Sequence, residues 1–197
     1  MTNRMADMAA ALNAYRPHIE FTPGNREAVV ALLLRERRDG VETLLIERAQ
    51  HPDDPWSGHV ALPGGRRETE DRDLHAVARR EVLEETAIDL AHARRLGRLD
   101  DQPGRHSGRN IGLTVSCLVY AAPLELRPQA NYEVSRIFWT PLTRFAATEY
   151  RTTLQTPYRR EPYPAIRLEN DATLWGMTYR FVNNFLHITG LHITAQQ

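Results

Sequence analysis

The sequence has no lysine: all 25 of its Lys and Arg positions are arginine. We attribute this to biased codon usage rather than to nucleic-acid binding, because 25 acidic residues balance the arginines and the formal net charge is zero. A chain without net charge generates no overall field that would draw nucleic acid or an anionic membrane. We therefore expect neither as a partner, and any attraction for phosphate must be local.

The sequence is also poor in cysteine and has no long apolar run. Its single cysteine, Cys117, lies in an apolar stretch and cannot form an internal disulfide, so we expect a small buried side chain. No apolar run reaches the roughly 18 residues of a membrane helix, and the N-terminus lacks a hydrophobic signal region. These absences predict a cytoplasmic protein, and 197 residues suffice for one domain with a sizeable core.

Residues 64–88 carry the densest pattern in the chain. The second half of this stretch predicts a helix in which Glu81, Glu84 and Glu85, at i, i+3 and i+4, share one solvent-reaching face. Like charges at this spacing repel, so the arrangement favours a cation such as Mg²⁺, which takes oxygen ligands and commonly brings a substrate phosphate. On the helix alone, an ordinary solvated face remains the alternative.

The residues around these glutamates indicate a helix that packs on a core. An apolar stripe lies on the opposite face, and acidic residues stand near the first turn, where negative charge is favoured. Before the helix, residues 63–65 (Pro-Gly-Gly) predict a tight loop in which a backbone carbonyl can also reach a metal. The stripe consists of Leu74, Val77, Ala78, Val82 and Ile88, and the acidic residues are Asp71 and Asp73.

The same stretch resembles the Nudix box, in which a Gly, five residues, a Glu and seven residues precede Arg-Glu-apolar-x-Glu-Glu-x-Gly. Asp71 stands where the family has its first Glu, eight residues separate it from the arginine, and Ala87 replaces the last glycine. The first two departures resemble the coenzyme A pyrophosphatase branch of the family. The positions that match the box are Gly65, Arg80, Glu81, Glu84 and Glu85.

The resemblance implies an α+β fold, an α/β/α sandwich with a mixed β-sheet between helices. It implies a hydrolase domain at residues 26–190, an N-terminal extension or arm at 1–25 and a C-terminal tail at 191–197. The chain is expected to act as a monomer or a homodimer.

The resemblance also implies the metal chemistry of the site. Mg²⁺ or Mn²⁺ is expected on Glu81, Glu84, Glu85 and the Gly64 carbonyl. Arg80 is expected to orient the carboxylates through charge-assisted hydrogen bonds, and Asp71 to steady the loop.

A fourth glutamate, Glu133, stands before a predicted strand. Residues 131–134 resemble a segment from which relatives often bring a glutamate to the metals, so Glu133 is the candidate ligand or base. An exposed glutamate at the start of a strand is the alternative.

The substrate-binding candidates include Gly65 and Arg48. Residues 45–58 resemble the coenzyme A branch at Leu45, Arg48, Ala49 and Gly58. The second arginine of that branch is missing, and Asp53 and Asp54 occupy its region. Because an arginine pairs with phosphate and an aspartate repels it, this difference disfavours coenzyme A as the substrate.

The polar segment 101–109 supplies two further substrate-binding candidates, Arg105 and Arg109. We expect a mobile loop that closes over a phosphate-bearing substrate, or, as the alternative, a solvated hairpin loop. Residues 143–168 are expected to be irregular, and their Tyr and Arg side chains suit either stacking on a base or covering an edge strand.

The remaining elements follow from hydrophobic patterns. We expect a peripheral helix at 5–16 that is available for dimerisation, and an amphipathic helix at 174–186 that packs on the sheet. Strands are expected at 28–34 and 43–46, which form a hairpin, and at 60–62, 96–100, 111–121 and 134–139.

The resemblance to the Nudix family implies a metal-dependent pyrophosphohydrolase that cleaves the phosphoanhydride of a nucleoside diphosphate linked to another group. Coenzyme A or a derivative is the first named substrate. ADP-ribose and dinucleoside polyphosphates are alternatives, as is NADH. The alternative from another class is a Nudix-fold nucleotide-binding or regulatory module without catalysis.

Overall fold

The computed structural model describes residues 4–20, 22, 24–52, 56–106, 109–123, 125–157 and 159–191. Its helices are α1 (Arg4–Ala14), α2 (Leu74–Thr86), α3 (Leu142–Ala146) and α4 (Gly176–Ile188). Its strands are β1 (Arg26–Arg37), β2 (Gly40–Arg48), β3 (Val60–Ala61), β4 (Gly64–Arg66), β5 (Arg94–Arg98), β6 (Gln102–His106), β7 (Arg109–Ala121), β8 (Val134–Pro141), β9 (Arg151–Leu154), β10 (Tyr163–Arg167) and β11 (Thr173–Trp175).

The first eight strands form one mixed sheet within the described residues. β1 and β2 make the predicted antiparallel hairpin, and β1 pairs in parallel with β7. The short strands β3 and β4 follow one another along the chain and pair with β2 and β1 respectively. β2 pairs with β3 along one edge and with β8 along the other. β2 therefore lies between β3 and β8 at one end of the sheet.

Helices cover both faces of this sheet, which confirms the predicted sandwich. Alternate residues of β1 point to opposite faces, as the two-residue period of a strand requires. Val29, Ala31 and Leu33 pack with the apolar stripe of α2, whereas Leu32 and Leu34 belong to a second core with residues of α1, α3 and α4. Cys117 is fully buried in that second core, as predicted, and burial raises the pKa of its thiol.

The N-terminal helix α1 is part of the core, so the expectation of a peripheral helix was wrong. Met5, Met8 and Leu12 are buried and lie on one face at helical spacing, which explains why the helix packs inward. Leu12 approaches Gly97 of β5, where a side chain would leave only 3.0 Å to the Leu12 Cβ. The Tyr15 hydroxyl, just after the helix, donates to Asp100 at 2.7 Å.

The segment expected as a mobile loop at 101–109 contains a strand instead. β6 pairs with β7, and its Pro103 and Gly104, which usually indicate a loop, are accommodated there. Proline is tolerated where a strand has a free edge, and β6 pairs only with β7 among the described strands. Gly104 leaves room for Leu113, whose Cβ would lie 2.8 Å from a side chain at that position.

Residues 143–168 are more regular than expected. After α3, strands β9 and β10 join β11 in a separate three-stranded antiparallel sheet. These strands are only three to five residues long, so they are too short to show the apolar alternation that predicts a strand. Leu174 lies in β11, so the C-terminal helix α4 begins two residues later than predicted, at Gly176. None of the described helices is long and apolar enough to span a membrane.

Candidate active site

Helix α2 places the three glutamates, and its ends are fixed by local bonds. It begins after Asp73, whose side chain accepts the Ala76 N–H at 2.8 Å. It ends at Ala87, whose N–H donates to the Leu83 carbonyl at 2.9 Å. Ala87 has φ 57° and ψ 19°, a left-handed conformation that glycine adopts more easily. The alanine therefore preserves the helix end that the Nudix box expects from a glycine.

Glu85 is a buried carboxylate, only 2% exposed, so the expectation that it lies on a solvent-reaching face was wrong. Its carboxylate accepts the backbone N–H of Gly64 at 2.8 Å. Burial raises the pKa of Glu85 to about 8, and the nearby Glu81 and Glu133 add to the rise, against the opposing effects of the Gly64 N–H and of Arg48. The carboxylate therefore lies where a positive charge would stabilise it.

Glu81 lies against the backbone of the glycine loop. A Cβ on Gly65 would lie 2.4 Å from the Glu81 carboxyl carbon, so the missing side chain makes room for this carboxylate. Burial raises the pKa of Glu81, while the hydrogen bond from Arg80 opposes that rise. Gly65 is thus required by the position of a glutamate rather than by a turn.

Arg80 joins the helix to the loop before it. Its guanidinium donates to Asp71 at 2.8 Å, to Glu81 at 2.8 Å and to the Arg66 carbonyl at 2.9 Å. The more exposed Glu84 lies 3.5 Å from the same guanidinium. The hydrogen bond from Arg80 lowers the pKa of the buried Asp71, whose carboxylate also accepts the Glu68 N–H.

The extra residue between Asp71 and Arg80 does not alter the helix. Asp71 lies before the N-terminal cap of α2, so the loop accommodates the eight-residue spacing. The ion pair between Asp71 and Arg80 then closes that loop onto the helix.

Glu133 and Arg48 lie close to the buried glutamates. The negative charge of Glu133 contributes to the raised pKa of both Glu81 and Glu85, and Arg48 lowers the pKa of Glu85. The backbone holds them together, because the Ala49 N–H donates to the Glu133 carbonyl at 2.8 Å. The end of β2 and the start of β8 therefore bring an arginine and a fourth glutamate to α2.

Arg105 and Arg109 lie away from the carboxylates of α2. Both are exposed, and β6 is separated from β4 by β7 and β1. The positive charge of Arg105 acts on Arg180 of α4, on the other face of the sheet from α2. None of the hydrogen bonds or ion pairs among described residues joins either arginine to the carboxylates. Asp53 and Asp54, the predicted acidic pair, lie outside the described residues.

The donor set suits a hard divalent cation. Glu81, Glu84, Glu85 and the Gly64 carbonyl offer only oxygen atoms, which Mg²⁺ and Mn²⁺ accept. Glu85 is buried without a full counter-charge, which a cation would supply. Among the described residues no three acidic, His or Cys side chains converge in a ready-made cluster. Glu81 bonds Arg80 and Glu85 bonds the Gly64 N–H, each through one carboxylate oxygen, and the second oxygen of a carboxylate can bind a cation.

Tyr132 is a neighbour of the site that the sequence analysis missed. It is 87% exposed, and a hydrogen bond with Glu133 raises the pKa of its hydroxyl. An aromatic residue inside an exposed polar turn was the available signal.

The sequence matches one protein family over most of its length. The NUDIX domain family matches residues 24–161, which include the glycine loop, α2 and Glu133. An uncharacterized protein of Schizosaccharomyces pombe is 37% identical over 118 residues, 57% of this chain and 35% of that protein. Nudix hydrolase 15, mitochondrial, of Arabidopsis thaliana is 27% identical over 158 residues, 78% of this chain and 55% of that protein. The chain thus spans only about a third to a half of these relatives.

A solved structure shows the same fold. The MutT/nudix family protein from Enterococcus faecalis aligns over 94% of this chain and 70% of its own, with a TM-score of 0.54 and 19% identity. The family match covers well over half of the chain and contains the loop and helix described above. The chain therefore belongs to the Nudix domain family.

Proposed function

We propose that this chain is a metal-dependent hydrolase that cleaves the phosphoanhydride of a nucleoside diphosphate linked to a second group. The observation that carries the proposal is the contact of Glu81 and Glu85 with the Gly64–Gly65 loop, with Glu133 and Arg48 close enough to act on the charge of Glu85. Burial of a carboxylate with a raised pKa destabilises the folded protein, so folding does not explain its presence. Such groups concentrate at functional sites. A regulatory module without catalysis would not need this arrangement.

The residues of the chain have separable roles in the reaction. Glu81, Glu84, Glu85 and the Gly64 carbonyl would hold the cation, which neutralises the diphosphate and lowers the pKa of the attacking water. Arg80 orients Glu81 and ties it to Asp71 and the loop. Arg48 lies on the same side and is placed to pair with a phosphate oxygen.

Glu133 is the candidate general base, since it lies near the buried glutamates without being one of them. In the proposed step the water oxygen bonds to one phosphorus while the bridging P–O bond breaks. Glu133 takes the proton from the water, and the bridging oxygen leaves with the second phosphate. The products are two phosphate monoesters.

Several candidate substrates contain the phosphoanhydride that the proposed step cleaves. Asp71, its spacing to Arg80 and the pair Arg48–Ala49 resemble the coenzyme A branch, which makes coenzyme A the first compound to test. ADP-ribose, dinucleoside polyphosphates and NADH carry the same bond and belong in the same screen. Comparing coenzyme A with its 3′-dephosphorylated form tests the acidic pair: a clear preference for intact coenzyme A would show that Asp53 and Asp54 do not face the substrate.

Glu85→Gln tests the function itself. The glutamine can still accept the Gly64 N–H, so we expect a folded protein. Loss of one metal ligand is expected to lower turnover on the order of a thousandfold. Glu36→Gln is the matched control, because Glu36 lies near the other end of β1, by the turn to β2. Wild-type turnover by the Glu85 variant at saturating Mg²⁺ would refute the metal-site assignment.

A further inference from the structure

A cavity of about 400 Å³ opens on the sheet face opposite α2. Sites for small molecules fall in roughly this range of volume. Its walls come from the ends of β2 and β8 on one side and from the three-stranded sheet of β9–β11 on the other. Trp175, which lines it, lies beyond residues 24–161 that match the family. The cavity is therefore partly built from residues that follow the family match.

Aromatic rings form one corner of the cavity. The rings of His59 and Trp175 are 4.9 Å apart between centroids and inclined at 65°. The ring of Tyr163 in β10 packs on the Trp175 ring, with 5.4 Å between the ring centroids. Strand β10 also pairs with β11 at this position, where Ala165 lies opposite Trp175. The indole is thus held in place by its own sheet before any ligand arrives. A fixed tryptophan beside a cavity suits a flat aromatic ligand, which gains stacking energy at little entropic cost.

The polar wall of the cavity contains the charged residues Glu47, Arg136 and Asp171, so it carries one negative charge in excess. Glu47 and Arg136 face each other across β2 and β8 in register, and their side chains form an ion pair. The pair offers hydrogen-bond donors and acceptors next to each other but no net charge. It therefore favours a neutral ring with both donor and acceptor groups over a free anion. A purine base has this character.

The cavity and the carboxylates share one end of the sheet. Glu47 faces the cavity, and the next residue, Arg48, acts on Glu85 on the opposite face. The Arg48 N–H donates to the His59 carbonyl at 3.1 Å, and the Gly58 N–H donates to the Arg48 carbonyl at 3.1 Å. A ligand that lies on Trp175 and passes around this end of the sheet therefore meets Arg48 first and the carboxylates next.

We propose that this cavity is the subsite for the purine base of the substrate, with the base stacked on Trp175 and its polar edge against Glu47 and Arg136. The inference rests on the proposed function, since it takes the diphosphate to lie at the carboxylates. It assigns to β9–β11 the task of selecting the nucleoside, whereas α2 and the glycine loop act on the diphosphate.

The test measures binding without metal or turnover, so its failure is distinct from failure of the hydrolase assignment. AMP is titrated into the metal-free protein by calorimetry, with ribose 5-phosphate as the ligand that lacks a base. We expect AMP to bind more tightly than ribose 5-phosphate. Trp175→Leu should weaken AMP binding about tenfold or more, the effect of removing one base–aromatic stack, and Trp175→Phe should restore most of it.

Trp139→Phe is the matched control, because Trp139 packs with the core on the α2 face and stacks under Arg35. Its AMP affinity should equal that of the wild type. If Trp175→Leu does not fold, His59→Ala removes the second ring and should weaken AMP binding severalfold. Unchanged AMP affinity in the folded variants, equal affinity for ribose 5-phosphate, or no AMP binding by the wild type would each overturn the proposal.

Discussion

The two adjacent glycines before α2 allow the fold and the site to be perturbed separately. In Gly65→Ala, the new Cβ would lie 2.4 Å from the Glu81 carboxyl group. Ordinary contact begins near 3.4 Å, so the carboxylate must move by about 1 Å, and a displacement of this size can cost about a hundredfold in rate. The group that moves is the end of a flexible side chain. We therefore expect little loss of folding stability.

Gly64→Ala should do the opposite. Gly64 has φ 148°, and its Cβ would lie 2.1 Å from the Val29 carbonyl oxygen. Backbone cannot yield as a side chain does, so overpacking and conformational strain add, at roughly 1–3 kcal/mol each. The free energy of unfolding should fall by about 2–6 kcal/mol.

Urea unfolding and turnover with Mg²⁺, measured on both variants, decide the point. Mn²⁺ binding by calorimetry gives a reading that does not depend on the substrate. The expected result is a stable, slow Gly65→Ala enzyme with weakened metal binding and a destabilised Gly64→Ala protein. A Gly65→Ala variant with wild-type turnover and metal affinity would show that Glu81 is not a ligand.

Further outcomes follow from other residues of the site and the helix. Ala87→Gly should raise the free energy of unfolding, measured in urea, by about 0.5–1 kcal/mol. The backbone strain of the left-handed alanine is lost, and this gain exceeds the cost of the entropy that glycine adds to the unfolded chain. No gain in stability would mean that neighbouring residues, and not the backbone, set this conformation. Glu133→Gln should lower kcat with little change in apparent metal affinity, and unchanged turnover would move the base to Glu84. Burial lowers the pKa of His75, and Arg95 and Arg79 add to this effect while Asp73 opposes it. The free energy of unfolding should therefore fall as the pH drops below about 6.5, because the unfolded chain takes up the proton first. His75→Gln, which can keep a hydrogen bond to Tyr120, should remove this contribution from the difference in urea unfolding between pH 7.5 and pH 5.5.

The sequence predicted those parts of the site that depend on local spacing. The spacing of Glu81, Glu84 and Glu85 needs only a helix, and α2 forms where its apolar stripe predicted. The hairpin of β1 and β2 likewise follows from two apolar runs around a turn. These features depend on residues close along the chain, where side-chain periodicity carries the information.

The burial of Glu85 depended on contacts distant in sequence. A helical wheel places Glu84 and Glu85 together, yet only Glu85 lies under the glycine loop and bonds the Gly64 N–H. The strands of the small sheet were missed for a related reason. β9 alternates between exposed and half-exposed residues, so its sequence has no apolar face to detect, and β10 and β11 are also short.

Glu85 of α2 and Ala87, which follows the helix, each conflict with local preferences, but for different reasons. Ala87 adopts a conformation that glycine would adopt at lower cost, and the residue is exposed. Glu85 conflicts with its apolar surroundings, but a cation on its carboxylate would offset that cost and use the charge. A conflict that a ligand relieves indicates a functional site, whereas one that a glycine relieves indicates only tolerated strain. On this reasoning Mg²⁺ should stabilise the protein through Glu85 and not through Ala87, so that Ala87→Gly and Mg²⁺ contribute additively to the free energy of unfolding.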